Sequence, residues 1–330
     1  MDTLWMVKFI TRMVTKMSKF IMLVGLPGSG KTYITENYFS RAKHISSDAI
    51  REELWGDAND QRNGDKVFYE MDKRTCSALE AGEDVVYDAT NMNSRNRKAV
   101  VSMVKRVAPG AECICVLVMC SIKECKRRQN DRDRKVPDEV IDRMARSFQV
   151  PFYNEGWDYI KIYQNGPRQD IDKEHSRLMV TAHDNPHHTT ESIGMHCTRA
   201  LSAMRSILAE NQEEPGDIGE HILCEVAYQH DLGKRKCKVF HDTKGNPTEI
   251  AHYYGHENLG AYLWLSGDKA GEWNEYCFLL IGLLIQLHMM PYAFPNKSKE
   301  ELEAWCAKRG YTKSIAEWVW KVHLADGRAH

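Results

Sequence analysis

Long apolar runs are missing from this sequence. None approaches the ~20 residues that cross a bilayer, so no membrane segment is expected. Net charge is nearly missing too, since 45 Lys and Arg face 46 Asp and Glu. A polyanion would therefore have to be held by local basic patches and not by a global field. The ten cysteines form no repeated CxxC, which argues against a zinc ribbon. Several of them sit in the apolar stretch 111–120, where cysteine acts as a small hydrophobe. Reduced thiols and a cytoplasmic location are expected. Residues 1–16 lack a continuous signal-peptide core, because Lys8, Arg12 and Lys16 interrupt them. They are expected to be an extension, residues 1–18, with the fold beginning after it.

What the sequence does have is an eight-residue glycine-rich stretch: Gly25, Leu26, Pro27, Gly28, Ser29, Gly30, Lys31 and Thr32. An apolar run (20–24) precedes it and a helical pattern follows. This strand, loop, helix order lets backbone N–H groups curl around a phosphate at a helix N-terminus. Lys31 would reach the terminal phosphates and Thr32 would offer its hydroxyl to Mg²⁺. ATP or another nucleoside triphosphate is the expected cofactor.

At 330 residues the chain suggests two domains. From 19 to 163, strand patterns at 20–24, 44–46, 84–87, 113–119 and 159–162 alternate with helical ones at 31–39, 50–55, 66–81, 95–106 and 137–148. That alternation predicts an α/β domain with a mostly parallel sheet, helices on both faces, and ligands at the carboxyl ends of the strands. Asp48 ends the second strand, either as a helix cap or as a base for an attacking hydroxyl. Arg51 lies one helical turn on, placed to hold an acceptor phosphate. Asp88 ends the third strand, where an acid lies near the metal or the nucleophile. Six of the ten residues 126–135 are Lys or Arg, among them Arg128 and Arg132. Such a run reads as a solvated face or as a lid over transferring phosphates.

Taken together, these features resemble the P-loop polynucleotide 5′-kinase family of RNA end-healing enzymes. The resemblance implies that Asp48 is the general base and that Arg51 contacts the acceptor's phosphate. It implies that Arg132, or else Arg128, steadies the γ-phosphate. Ala89 separates Asp88 from Thr90 and Asn91, a departure from the phage-type pattern that leaves the role of Asp88 less defined.

Residues 164–183 read as a linker. From 184 to 330 helical patterns take over, broken by a hairpin pattern at 238–241 and 248–252, so an all-α domain with one insert is expected. Eleven of the fourteen histidines lie between His183 and His323. His196, His230 with Asp231, His256 and His288 fall at helix ends or on helices, and Asp326 lies near the end of the chain. Imidazole and carboxylate donors drawn from separate helices suit a transition metal of the Mn, Fe, Co, Ni or Zn class.

This set resembles the HD phosphohydrolase superfamily. The resemblance implies one metal on His196, His230, Asp231 and Asp326, and a second completed by His256 and His288. Lys234 and His188 would contact phosphate or support the ligands. The whole reads as a bifunctional nucleic-acid end-healing enzyme, with RNA ends favoured over DNA. It would phosphorylate 5′-hydroxyls and remove 3′-phosphates or 2′,3′-cyclic phosphates. Two alternatives stay open: a small-molecule or nucleoside kinase joined to an HD nucleotidase, and a nucleotide-binding RNA-binding module.

Overall fold

The computed structural model describes residues 17–58, 60, 62–132, 135–186, 192–210 and 217–330. The chain forms two compact units: residues up to Gly25 with Gly30–Val118 and Glu155–Tyr163, and Leu26–Ser29 with Met119–Asn154 and Gln164–His330.

The first unit is organised around a five-stranded sheet in the order β2-β3-β1-β4-β5. The strands are β1 (Lys19–Val24), β2 (Lys43–Ser46), β3 (Val85–Asp88), β4 (Glu112–Met119) and β5 (Tyr159–Gln164). β1 pairs in parallel with β3 and with β4, and β2 in parallel with β3. Phe20 to Val24 are all buried, as expected of a central strand covered on both faces. Ile21, Leu23, Val86, Val116 and Val118 form the core with Ile34 of helix α1 (Lys31–Tyr38). The other helices here are α2 (Ser47–Trp55), α3 (Gly64–Glu80) and α4 (Ser94–Val107).

One buried ion pair fixes the loop after β3. Arg97 of α4 meets both Glu155 oxygens, at 2.6 and 2.8 Å, and also donates to the Asn91 carbonyl at 2.9 Å. Trp157 Nε1 donates to Glu155 Oε2 at 2.9 Å. The pair is bidentate and further hydrogen-bonded, the condition under which buried charges are tolerated. Asn91, at φ 49°, in turn donates to the Leu23 carbonyl at 2.7 Å. The carboxyl ends of β1 and β3 are thereby held together.

The second unit is helical apart from a hairpin. It contains α5 (Ile122–Asn130), α6 (Asp138–Arg146), α7 (Ile171–Met179), α8 (Ile193–Glu210), α9 (Ile218–Gln229) and α10 (Lys234–Cys237). The hairpin β6 (Val239–His241) and β7 (Pro247–His252) is followed by α11 (His256–Leu265), α12 (Glu275–Leu287), α13 (Lys299–Arg309) and α14 (Lys313–Gly327). The stretch Glu275–Ala293 is long and apolar enough to cross a membrane, and 72% of it is buried among its neighbours.

Three features add to the sequence reading. The 164–183 stretch carries α7, whose Ile171, Glu174, His175 and Leu178 are buried, so it is a packed element. The first half of the basic run, 126–130, ends helix α5, whose Ile122, Cys125 and Gln129 face inward. Residues 119–154 make contacts within the second unit. There Gln286 of α12 donates to the Phe148 carbonyl (2.7 Å) and accepts from Val150 N–H (3.0 Å), and the Tyr262 hydroxyl donates to the Cys120 carbonyl (2.8 Å). The expected extension falls outside the described residues as far as residue 16.

Candidate active sites

In the first unit the expected kinase residues gather at the carboxyl ends of β1, β2 and β3. Lys31 Nζ donates to the Gly25 carbonyl at 3.0 Å, and the Gly25 N–H is bonded to the Thr90 carbonyl at 3.1 Å. Thr32 is exposed on the first turn of α1. Asp48 does not cap α2; Ser46 holds that position, and Asp48 lies in the first helical turn. Its carboxylate, 54% exposed, accepts from Arg51 Nη1 at 3.1 Å, whereas the Arg51 side chain is only 9% exposed. Arg51 Nε is buried with no hydrogen-bond partner among the described residues. A buried guanidinium with an unused donor beside an exposed carboxylate is suited to taking an anionic acceptor.

Asp88 is buried and paired: its Oδ2 lies 3.0 Å from His44 Nε2. Sequence reasoning did not find His44. Its only signal is that β2 runs parallel to β3, with Ser46 opposite Asp88.

The remaining loop residues belong to the second unit. Gly28 has φ 81°, and a Cβ on it would stand 2.4 Å from the Cys125 carbonyl oxygen, so this point of the loop accepts only glycine. Arg128 of α5 donates to the Gly28 carbonyl (3.3 Å) and the Asn165 carbonyl (3.0 Å), and it meets Glu124 at 2.8 Å. Asn165 Nδ2 donates to the Ser29 carbonyl at 2.8 Å. Because the peptide is planar and trans, that bond turns the following N–H, of Gly30, to the opposite side. Arg128 thus braces the loop, while Arg132 is exposed just past α5. Pro27 and Ser29 lie within the braced turn.

A second cluster lies wholly within the second unit. His196 (α8), His230 and Asp231 (end of α9), His256 (start of α11), His288 (end of α12) and Asp326 (α14) are all buried. They fall into two triads, His196–His230–Asp326 and Asp231–His256–His288. Asp231 spans them. Its Oδ2 lies 3.3 Å from His230 Nε2 and 3.7 Å from His196 Nε2, and its Oδ1 lies 3.5 Å from His256 Nε2 and 3.9 Å from His288 Nε2.

Three of the imidazoles are oriented by one device. His230, His256 and His288 each place Nδ1 against the carbonyl three residues back, at 2.8, 2.8 and 2.6 Å. Each Nε2 thereby faces the cluster, where a neutral ring protonated on Nδ1 offers its lone pair and a bound cation would replace the proton held on His230. The Nε2 atoms of His230 and His196 lie 3.3 Å apart, as do those of His256 and His288. Gly233 permits this convergence, since a Cβ there would come within 2.1 Å of the His256 carbonyl oxygen.

The electrostatics favour a cation at this point. Burial raises Asp231 and Asp326, but the charges of His230 and Lys234 on Asp231, and the hydrogen bonds of His196 and His230 on Asp326, hold both well below the usual carboxylate range. Burial lowers His230, yet the Asp231 and Asp326 carboxylates bring it up to about 10. Burial, then the charges of His230 and His256, take His288 down to about 3.

Lys234 Nζ lies 2.7 Å from Asp231 Oδ2, so it supports the shared carboxylate. His188 lies outside the described residues. Sequence reasoning missed Tyr292, whose hydroxyl donates to Asp326 Oδ2 at 2.7 Å. It also missed His183 and His330, whose rings lie 5.4 and 5.0 Å from that of His196.

Comparison with known proteins finds its family match in the N-terminal part of the chain. The AAA domain family model matches residues 20–151. L-seryl-tRNA(Sec) kinase of Methanococcus maripaludis is 24% identical over 147 residues, 42% of this chain. The chain spans 55% of that relative's length. Among solved structures, a Pnkp1/Rnl/Hen1 RNA repair complex has a TM-score of 0.35 at 19% identity, covering 40% of this chain and 44% of its own. A gluconokinase from Sinorhizobium meliloti has a TM-score of 0.33 at 17% identity, covering 46% of this chain and 85% of its own. The N-terminal region is a P-loop kinase-like domain, of a class that uses ATP and Mg²⁺; the C-terminal region is helical.

Proposed function

We propose that this chain is a bifunctional enzyme that heals nucleic-acid ends, with RNA as the favoured substrate. The observation that carries the proposal is the pairing, in one chain, of a P-loop beside the Asp48–Arg51 couple with a buried cluster of four imidazoles and two carboxylates.

In the kinase half, Lys31 would leave the Gly25 carbonyl for the β- and γ-phosphates, and Thr32 would hold Mg²⁺. The acceptor 5′-hydroxyl oxygen forms a bond to the γ-phosphorus as the bond to the diphosphate oxygen breaks, and Asp48 takes the hydroxyl proton. Arg51 would hold the acceptor's own phosphate. Arg132 is the candidate for the charge developing on the γ-phosphate, with Arg128 bracing the loop.

In the second half the residues fit an HD-type phosphohydrolase. His196, His230 and Asp326 would hold one transition ion, and Asp231, His256 and His288 a second, with Asp231 shared. Such ions supply a hydroxide at neutral pH and neutralise phosphate charge. Lys234 fixes the shared carboxylate, and the backbone carbonyls behind His230, His256 and His288 fix their tautomers.

The test is a short RNA with a 5′-hydroxyl and a 2′,3′-cyclic phosphate, incubated with ATP and Mg²⁺ and separately with Mn²⁺, Ni²⁺ or Co²⁺. Phosphate gained at one end and lost at the other supports the proposal. A second reading, a kinase for another hydroxyl, draws on the relative whose name is L-seryl-tRNA(Sec) kinase. Phosphorylation indifferent to the oligonucleotide 5′ end would favour it.

A further inference from the structure

We propose that the β6–β7 hairpin is a stacking seat for the terminal base of a single-stranded nucleic acid whose phosphate enters the six-residue cluster. The inference rests on reading that cluster as a phosphoester site. It concerns residues to which the account so far gives no task.

The hairpin carries an exposed aromatic surface. Phe240 is 48% exposed, Tyr254 40% and Ile250 36%. The Tyr254 ring lies parallel to that of His252, at 6° and 5.4 Å between centroids, and 6.4 Å from His241. Lys238 Nζ stands 5.8 Å over the Phe240 ring. Core packing does not explain rings left this open on a two-stranded insert. Aromatic faces beside cations are what single-stranded nucleic acids use, because every base offers a π-face and every linkage a charge.

Charge contributes at the hairpin tip, through Lys244, since Lys234 pairs with Asp231, Arg235 and Lys236 with Glu174, and Lys238 with Asp184. Asp242 is committed to the turn, accepting from the N–H groups of Lys244 and Asn246 and from Asn246 Nδ2, each at 2.8 Å. Lys244 is exposed at the hairpin tip.

The position ties the seat to the cluster. Tyr254 precedes the cluster residue His256 by two residues, so their Cα atoms are no more than ~7 Å apart. That is within the span of one nucleotide from base to phosphate. Tyr253, between the stacked His252 and Tyr254, turns inward: Lys234 Nζ stands 5.3 Å from its ring, and its hydroxyl donates to the His183 carbonyl. The segment after β7 therefore turns Tyr253 toward the cluster and Tyr254 toward solvent.

The experiment measures anisotropy of a 5′-labelled single-stranded RNA ending in a 3′-phosphate, with EDTA present so that nothing is hydrolysed. Tyr254→Ala is expected to weaken binding by about 5- to 150-fold, and Tyr254→Trp to retain it. RNA with an abasic terminal nucleotide should bind the unaltered protein as weakly as intact RNA binds Tyr254→Ala. Equal affinity of Tyr254→Ala and the unaltered protein, or of abasic and intact RNA, overturns the proposal. Binding of a folded protein or of anionic vesicles that depends on Tyr254 while RNA binding does not also overturns it. Hydrolysis of p-nitrophenyl phosphate with added metals is scored separately: its absence removes the phosphoester reading of the cluster, whereas a Tyr254-dependent RNA affinity stands without it.

Discussion

The Tyr292 hydroxyl donates to one oxygen of Asp326 at 2.7 Å while the other Asp326 oxygen lies 2.8 Å from His196 Nε2. A phenol thus fixes the rotation of a carboxylate that belongs to one triad. Burial, followed by the Asp326 charge, pushes the Tyr292 pKa far up, so the group remains a donor at any physiological pH. Tyr292→Phe is expected to weaken metal binding by about 10- to 100-fold, as loss of an outer hydrogen bond does at other metal sites. Calorimetric titration with Mn²⁺ or Ni²⁺ measures it, and unchanged affinity would remove the orienting role.

Arg51 offers a different prediction. Its buried guanidinium has one donor without a hydrogen-bond partner among the described residues, and another donor lies 3.1 Å from Asp48. Arg51→Gln should raise KM for a phosphorylated acceptor strand and leave KM for ATP little changed. The check is steady-state kinetics varying each substrate in turn. A selective rise in KM for ATP would place Arg51 on the donor nucleotide.

The Arg97–Glu155 pair predicts a stability effect reaching the kinase loop. Glu155→Ala leaves a fully buried guanidinium without its carboxylate, a loss worth about 3–5 kcal/mol. Urea denaturation reads it. A cost below about 1 kcal/mol would mean that the pair behaves like one at the surface.

His175 supplies a pH dependence. It is 5% exposed, stacks on Tyr228 at 3.8 Å, and neither ring nitrogen has a hydrogen-bond partner among the described residues. Burial, only partly offset by Asp172, lowers it to about 4. Between about pH 4 and the ordinary imidazole pKa of about 6.5, the unfolded chain binds a proton that the folded chain refuses. Stability therefore falls on acidification through that window, by about 2 kcal/mol from pH 7 to pH 5. His175→Phe should lose correspondingly less over the same interval in urea titrations at the two pH values. Parallel losses in both proteins would assign the effect to other groups.

What could be read in the sequence was chemistry carried by contiguous residues or helix ends. Gly25 to Thr32 form one uninterrupted motif, and His230-Asp231 is an adjacent pair, so both could be picked out as candidates before any fold was known. Contacts across long separations could not. His44 meets Asp88 across 44 positions and Tyr292 meets Asp326 across 34, and nothing in either neighbourhood marks the partner. Helix α7 was hidden because it buries Glu174, whose charge is met by Arg235 from 61 residues away. Helix α5 was hidden by the surface charges of Lys126, Arg127 and Arg128, although Ile122, Cys125 and Gln129 give it an inward face. Asp48 had two readings on spacing alone, and the structure removes the cap by giving that position to Ser46.

The most direct test of two separate activities uses one RNA, with a 5′-hydroxyl and a 2′,3′-cyclic phosphate, and two variants. Asp48→Ala should lose 5′ phosphorylation, by about 10²- to 10⁴-fold for a general base, and still open and remove the 3′ phosphate. Asp231→Asn should do the reverse, losing the 3′ reaction and bound transition metal while phosphorylating the 5′ end. Loss of both activities in either variant, with the fold intact by circular dichroism, would contradict the account.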